Sequence, residues 1–131
     1  MTKRPEAGEL FLNFQSVAIA DLLINDKLLS GENIFVNQKI KLEVPNVALG
    51  WNTVQLRYFN LYNKNRVGLH SYIDESDKEQ YLYSQFEAFH CFHVFPVFDQ
   101  PSLKAKMSLA VTCPKDWTAV SNSLEKKYED V

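Results

Sequence analysis

The sequence predicts a mainly β domain, with antiparallel strands and long connections arranged as a sandwich or a curved open sheet. Three observations carry this expectation. Period-two alternation of apolar and polar residues recurs from one end of the chain to the other. Proline, glycine and an Asn-Asp turn signal cut that alternation into short runs. Helical spacing appears once, from Phe86 through Phe89 to Phe92 or His93, and Pro96 and Pro101 keep it from growing long. The expectation is therefore a β domain with one short irregular or helical segment near residues 87–95.

The elements follow in order. In residues 9–15, Leu10, Leu12 and Phe14 fall on one face. Val17, Ile19 and residues 22–24 continue in strand-like fashion up to the turn signal Asn25-Asp26. In the run KIKLEV, Lys39, Lys41 and Glu43 face water, while Ile40, Leu42 and Val44 face a core. Pro45 closes that strand because proline cannot donate to the ladder. Gly50 opens the next, in which Val54, Leu56 and Tyr58 alternate with Gln55, Arg57 and Phe59. Residues 60–66 read as a polar turn or edge, and residues 71–80, rich in Asp and Glu, as a solvated loop. Met107, Leu109 and Val111 form one more alternating face, and residues 117–120 another short strand. Phe95 and Phe98 are expected to be largely buried, because the run between the prolines is too apolar to be left in water.

Composition bounds the function. A chain of 131 residues is one domain, 1–131, large enough for one core. Hydrophobic residues make up 46%, so the chain folds rather than staying disordered. A net charge of −2 points to neither a nucleic-acid nor a membrane surface. MTKRPEAGEL has no apolar h-region, so no secretory signal is expected; Cys91 and Cys113 then read as reduced thiols in the cytoplasm.

Few residues carry the spacing that chemistry needs. His90 and His93 would share a face on a helix and could grip zinc, but no third ligand is well placed, and the pair reads rather as packing or surface histidines. Cys91 has no base in its neighbourhood and reads as an inert thiol. There is no glycine-rich phosphate loop, no H-E-x-x-H and no G-x-S-x-G. Gln85 and Glu87 differ in kind. On a strand they would point the same way, and a carboxylate beside an amide makes a receptor for an ammonium group. Polar alternation is also simply a solvated sheet face.

Several ordered segments resemble a known family. GLHSYID (68–74), YLYSQFEA (81–88), FPVFDQPSLKAKM (95–107) and PKDWTAVSN (114–122) are similar, in order and spacing, to the N-terminal domain of the zinc aminopeptidase N family. The likeness is closest to the puromycin-sensitive and bacterial aminopeptidase N branches. FLNF, LLIND and ALGWNTVQLRY resemble that domain's earlier strands. The resemblance implies a saddle-shaped antiparallel β domain leaning on a thermolysin-like catalytic domain. It implies that Gln85 lines the pocket for the first side chain of a peptide and that Glu87 binds the free α-amine. Zinc is expected in the catalytic domain and none in this chain.

The chain also departs from the family pattern. The G-x-M-E-N segment and H-E-x-x-H are absent, so no catalytic or metal residue is expected here. Phe92 stands where the family usually has an arginine, which could pair with a carboxylate such as Asp99, and Ser84 stands where threonine is common. The chain reads as beginning after the family domain's first strands and stopping before its last. The expected role is a recognition domain of a zinc aminopeptidase, inactive alone. The alternative is a truncated, non-catalytic paralogue acting as an interaction module. Expected partners are peptide N-termini, and a catalytic domain or another chain along exposed sheet edges, with no nucleic acid and no membrane.

Overall fold

The computed structural model describes residues 10–29, 35–42 and 44–124. Their regular structure is β: β1 (Phe11–Asn13), β2 (Ala18–Ile24), β3 (Lys27–Leu28), β4 (Phe35–Val36), β5 (Lys39–Lys41), β6 (Val54–Phe59), β7 (Gly68–Ile73) and β8 (Gln80–Gln85). Two single 3₁₀ turns, Val44–Asn46 and Cys91–His93, are the only helical pieces among the described residues. The strands form three antiparallel sheets in the orders β1-β5-β4, β3-β2-β6 and β7-β8. The mainly β, antiparallel expectation holds, and so does the irregular segment near 87–95.

The first two sheets share the core. Leu12 and Phe14 from the β1 segment, Leu22 and Ile24 from β2, Ile40 and Leu42 from the β5 segment, and Val47 are all buried together. This is the alternation read as burial: β5 runs exposed-buried-exposed, and β6 places Val54, Leu56 and Tyr58 inward with Gln55, Arg57 and Phe59 outward. Tyr58 meets the ring of Phe14 edge-on at 4.7 Å. Val17, by contrast, is exposed, and β2 carries a register shift between Ile19 and Asp21 that re-aims its first half. Val44 lies in the 3₁₀ turn with Pro45, beyond the end of β5.

Two tight turns set the registers. Asn25 and Asp26, and again Asn37 and Gln38, adopt positive φ, the left-handed pair that joins strands through a two-residue turn. Asn25 does more than turn. Its Nδ2 donates to Asn46 O and Asn52 Oδ1, and its Oδ1 accepts from Thr53 N–H. This pins the 44–53 loop, at whose tip Trp51 is 98% exposed.

The sequence reading is corrected in the second half. Residues 71–73 are not loop but the end of β7; the connection to β8 is only 74–79, and the charges there had masked Ser71, Tyr72 and Ile73. No strand forms at Met107, Leu109 and Val111 or at 117–120. Alternation supplies a face but not a partner, and no described strand pairs with either run. Phe95 is half-buried against Phe86, but Phe98 is 45% exposed. It follows Val97, which exchanges reciprocal backbone bonds with Asn13 on β1 (2.7 and 3.0 Å).

Asn60 joins the two halves. Its Nδ2 donates to Gln15 O (2.7 Å) and His93 O (3.2 Å), and its Oδ1 accepts from Val17 N–H (3.0 Å). Three bonds at about 0.5–1.5 kcal/mol each set the scale. Asn60→Ala is expected to cost about 2–4 kcal/mol, read as a lower urea midpoint at unchanged slope. Asn60→Asp should cost more, since a carboxylate would face two carbonyl oxygens. A shift equivalent to less than about 0.5 kcal/mol for either variant would contradict this role.

Candidate functional site

The β7–β8 hairpin brings the chain to the candidate residues. Its register pairs Gly68 with Gln85, His70 with Tyr83 and Tyr72 with Tyr81. Gln85 is the last residue of β8 and is exposed. Phe86 then carries the chain into a turn over 87–90, closed by His90 N–H donating to Phe86 O at 3.0 Å. Glu87 is therefore in a turn and not on the strand, so strand alternation fixes the direction of Gln85 but not that of Glu87. The Glu87–Ala88 peptide is cis. Glu87 is exposed, and the two polar residues stand at the same end of the hairpin.

Behind them, the 3₁₀ turn is held by its carbonyls. Phe92 O accepts from Gln15 N–H, His93 O from Asn60 Nδ2, and Val94 O from the Tyr58 hydroxyl at 2.5 Å. Asp99, the carboxylate an arginine at position 92 could have paired with, instead accepts the backbone N–H of Phe92 at 2.9 Å. Gly68 presses on this turn. A Cβ there would stand 2.6 Å from Asn63 Nδ2 and 2.8 Å from His93 Cβ, and its φ of +67° suits glycine.

His90 and His93 do come together, with ring centroids 5.4 Å apart and tilted 31°. Both Nδ1 atoms are covered and lack a hydrogen-bond partner. Among the described residues, no group of three His, Cys, Asp or Glu stands close enough to hold a metal ion. The zinc implied by the family resemblance therefore has no fitting donor set in these residues. Burial pushes the Cys91 thiol up, aided by the charge of Asp99, the opposite of what activates a nucleophile. Burial, and then His90, hold His93 below the ordinary imidazole range, against the pull of Asp99. A surface pocket of about 550 Å³ opens beside His93, walled by Gln15, Asn60, Asn63 and Lys64; it includes neither Gln85 nor Glu87.

The register also shows what the sequence reading missed. His70, Tyr72, Tyr81 and Tyr83 share the hairpin face of Gln85. The alternation in GLHSYI and QYLYSQ carried that signal, but the first segment was cut short by the loop assignment. At the far end, the Tyr81 hydroxyl donates to Asp77 Oδ2 at 2.7 Å, and this bond, followed by the charge of Asp77, pushes Tyr81 up to about 12.

These features define a small antiparallel β domain that presents an amide and a carboxylate at a hairpin end. The chain belongs to the peptidase M1 N-terminal domain family, whose model matches residues 6–131. It is also 33% identical over 123 residues to aminopeptidase N of Streptomyces lividans, an alignment covering 94% of this chain and 14% of that protein. The chain thus spans about one-seventh of the length of that relative. Among the described residues, no helix is long and apolar enough to cross a membrane.

Two outcomes test this geometry. Gly68→Ala is expected to cost about 1–3 kcal/mol in a urea melt, because both the close atoms and the positive φ oppose a Cβ; a neutral result would contradict the packing. The second concerns pH. The folded value of His93 lies below its unfolded value of about 6.5, so the unfolded chain binds more protons in between. This contribution is complete above about pH 6.5 and is lost as pH falls toward the folded value. Burial first, then His90, with Asp99 opposing them, set its size. Midpoints measured between roughly pH 5 and 7 should rise with pH, and less steeply in His93→Asn. An unchanged slope in that variant would remove His93 from the account.

Proposed function

We propose that this chain is a substrate-recognition domain of a cytoplasmic zinc aminopeptidase. It contributes the binding of a peptide's free α-amine and first side chain, and hydrolysis belongs to a separate zinc-bearing catalytic domain. The observation that carries this reading is the position of Gln85 and Glu87, in the segment YLYSQFEA that resembles the family's, exposed at the end of β8 and in the turn that follows it. Chemically the pair suits the task. A carboxylate supplies charge for an ammonium group, and an amide oxygen accepts one of its hydrogens.

A second reading, the non-catalytic interaction module, is favoured by one feature. Met107, Leu109 and Val111 alternate in the sequence, lie outside every strand, and are 64, 55 and 57% exposed, with no described strand beside them. Such a run suits strand addition by a catalytic domain or by another chain.

The discriminating measurement is kcat/KM on a free-amine dipeptide, with zinc content checked, for a protein carrying this domain together with an H-E-x-x-H half. Losing a carboxylate paired with a partly desolvated ammonium costs about 2–5 kcal/mol. A neutral hydrogen bond contributes about 0.5–1.5 kcal/mol. Glu87→Ala should therefore reduce kcat/KM by about 30-fold or more and Gln85→Ala by about 10-fold or less, with Glu87→Gln between wild type and Glu87→Ala. Equal, small effects for all three would leave Glu87 a solvated turn residue and favour the module.

A further inference from the structure

We propose that the pocket beside His93 is a binding site for a small organic anion, an oxyanion head carried on an apolar group. Lys64 holds the head, and Val17, Leu61 and Tyr62 receive the apolar part. The site is independent of the reading of Gln85 and Glu87, neither of which lines it.

The walls are fixed by the chain's own hydrogen bonds. At about 550 Å³ the pocket falls in the range that small-molecule sites occupy. Its back is the Asn60 clamp, whose amide is engaged by Gln15, Val17 and His93. Its rim is the 60–66 segment, tied down on both sides of Lys64. Asn63 N–H donates to Leu69 O at 2.8 Å, and Asn63 O accepts from Ser71 N–H at 2.9 Å. Arg66 N–H donates to His70 Nδ1 at 3.1 Å. The backbone is thus held, while the Lys64 ammonium has no ion-pair partner among the described residues. Asn63 and Asn65, its neighbours in sequence, line the same wall and bring amide N–H donors to it.

Charge selects the head. Among the described residues, Lys64 is the one charged side chain in the wall, and no carboxylate lines it. His93, held below the ordinary imidazole range by burial, adds no charge near neutral pH. Asp99 is turned to the backbone N–H of Phe92 and does not line the pocket. The acidic 74–79 turn is remote. Asn63 and His93 meet Gly68 at one end of the hairpin, and the turn follows Ile73 at the other. Five residues of strand span about 17 Å, roughly two Debye lengths at physiological salt. A cation would meet Lys64 with nothing to offset it, whereas an oxyanion gains a charge-assisted bond and amide donors.

The exposed side chains select the rest of the ligand. Val17, Leu61 and Tyr62 are 62, 68 and 51% exposed around the same opening. One such residue needs no explanation, but three lining one polar pocket give a hydrocarbon group somewhere to go. Acetate or inorganic phosphate would leave them uncovered.

The test titrates the 131-residue chain with hexanoate, hexyl phosphate, acetate, hexanol and hexylammonium, following the Asn63 and Asn65 side-chain amides by NMR. Hexanoate and hexyl phosphate should bind with millimolar affinity, and the tighter of the two identifies the head as carboxylate or phosphate. Both should bind about 10-fold or more tightly than hexanol or hexylammonium, an advantage that narrows at high salt. Hexanoate should also bind about 10-fold or more tightly than acetate, and Leu61→Ser should reduce that ratio. Lys64→Ala should weaken hexanoate about 10-fold, and Lys64→Arg should retain it. Lys64 and Leu61 are both exposed, so neither change threatens the fold. Glu87→Ala should leave every affinity unchanged, which separates this site from the amine reading. Equal affinity for hexylammonium and hexanoate, unchanged affinity in Lys64→Ala, or no amide shift with hexanoate at about 50 mM overturns the inference.

Discussion

Everything after β8 depends on how a segment without a ladder satisfies its backbone. Residues 86–97 run through a turn, a 3₁₀ piece and an irregular return, where unpaired carbonyls would be costly once covered. Asn60 resolves this with one side chain. It joins Gln15 and Val17, on the link between β1 and β2, to His93 in the 3₁₀ turn. Tyr58 and Gln15 complete the clamp by donating to Val94 and Phe92. Gly68 lets β7 approach the same turn, so the end of the hairpin that carries Gln85 is set against the clamp. The position of Gln85 is thereby inherited from hydrogen bonds made by residues far from it in sequence.

The core and the candidate site occupy different halves of the chain. Among the described residues, the seven buried hydrophobics of the core run from Leu12 to Val47, and the hairpin and the described residues beyond it lie outside that cluster. Apolar burial supplies most of the stability of a domain, and it is local in its effects. Substitutions on the hairpin face can therefore change recognition without emptying the core. The exposed pair of Asp21 and Arg57, opposite one another on β2 and β6, adds little beyond its cross-strand contact.

Where a strand had a partner nearby, the sequence was legible. KIK and VQLRYF alternate and are buried as they alternate, and Asn25-Asp26 turns as its residue types require. The runs that misled share one cause, since period two describes a surface and not a neighbour. The alternation at Met107, Leu109 and Val111 matches that in β6, yet only β6 lies against β2. Glu87 is subtler: it keeps the spacing of Gln85, but the strand ends before it, and no propensity rule marks that stop. The tyrosine face was readable in principle, because GLHSYI and QYLYSQ alternate in register; acidic residues alongside drew its boundary too early. Asn60 was not readable, since its three partners are separated from it by 33 to 45 residues.

The Asn25 network holds a tryptophan almost wholly in water. An indole at 98% exposure has the same surroundings in the folded and the unfolded chain, so Trp51 emits alike in both. Trp117, the second indole, closes a turn by donating its backbone N–H to Pro114 O, and more than half of its surface is covered. A change in tryptophan emission on unfolding is therefore that of Trp117, which lies outside the core cluster and does not report directly on Phe14, Ile24 and Ile40. Near-ultraviolet optical activity from the packed rings of Phe14, Phe35 and Tyr58 follows that collapse directly.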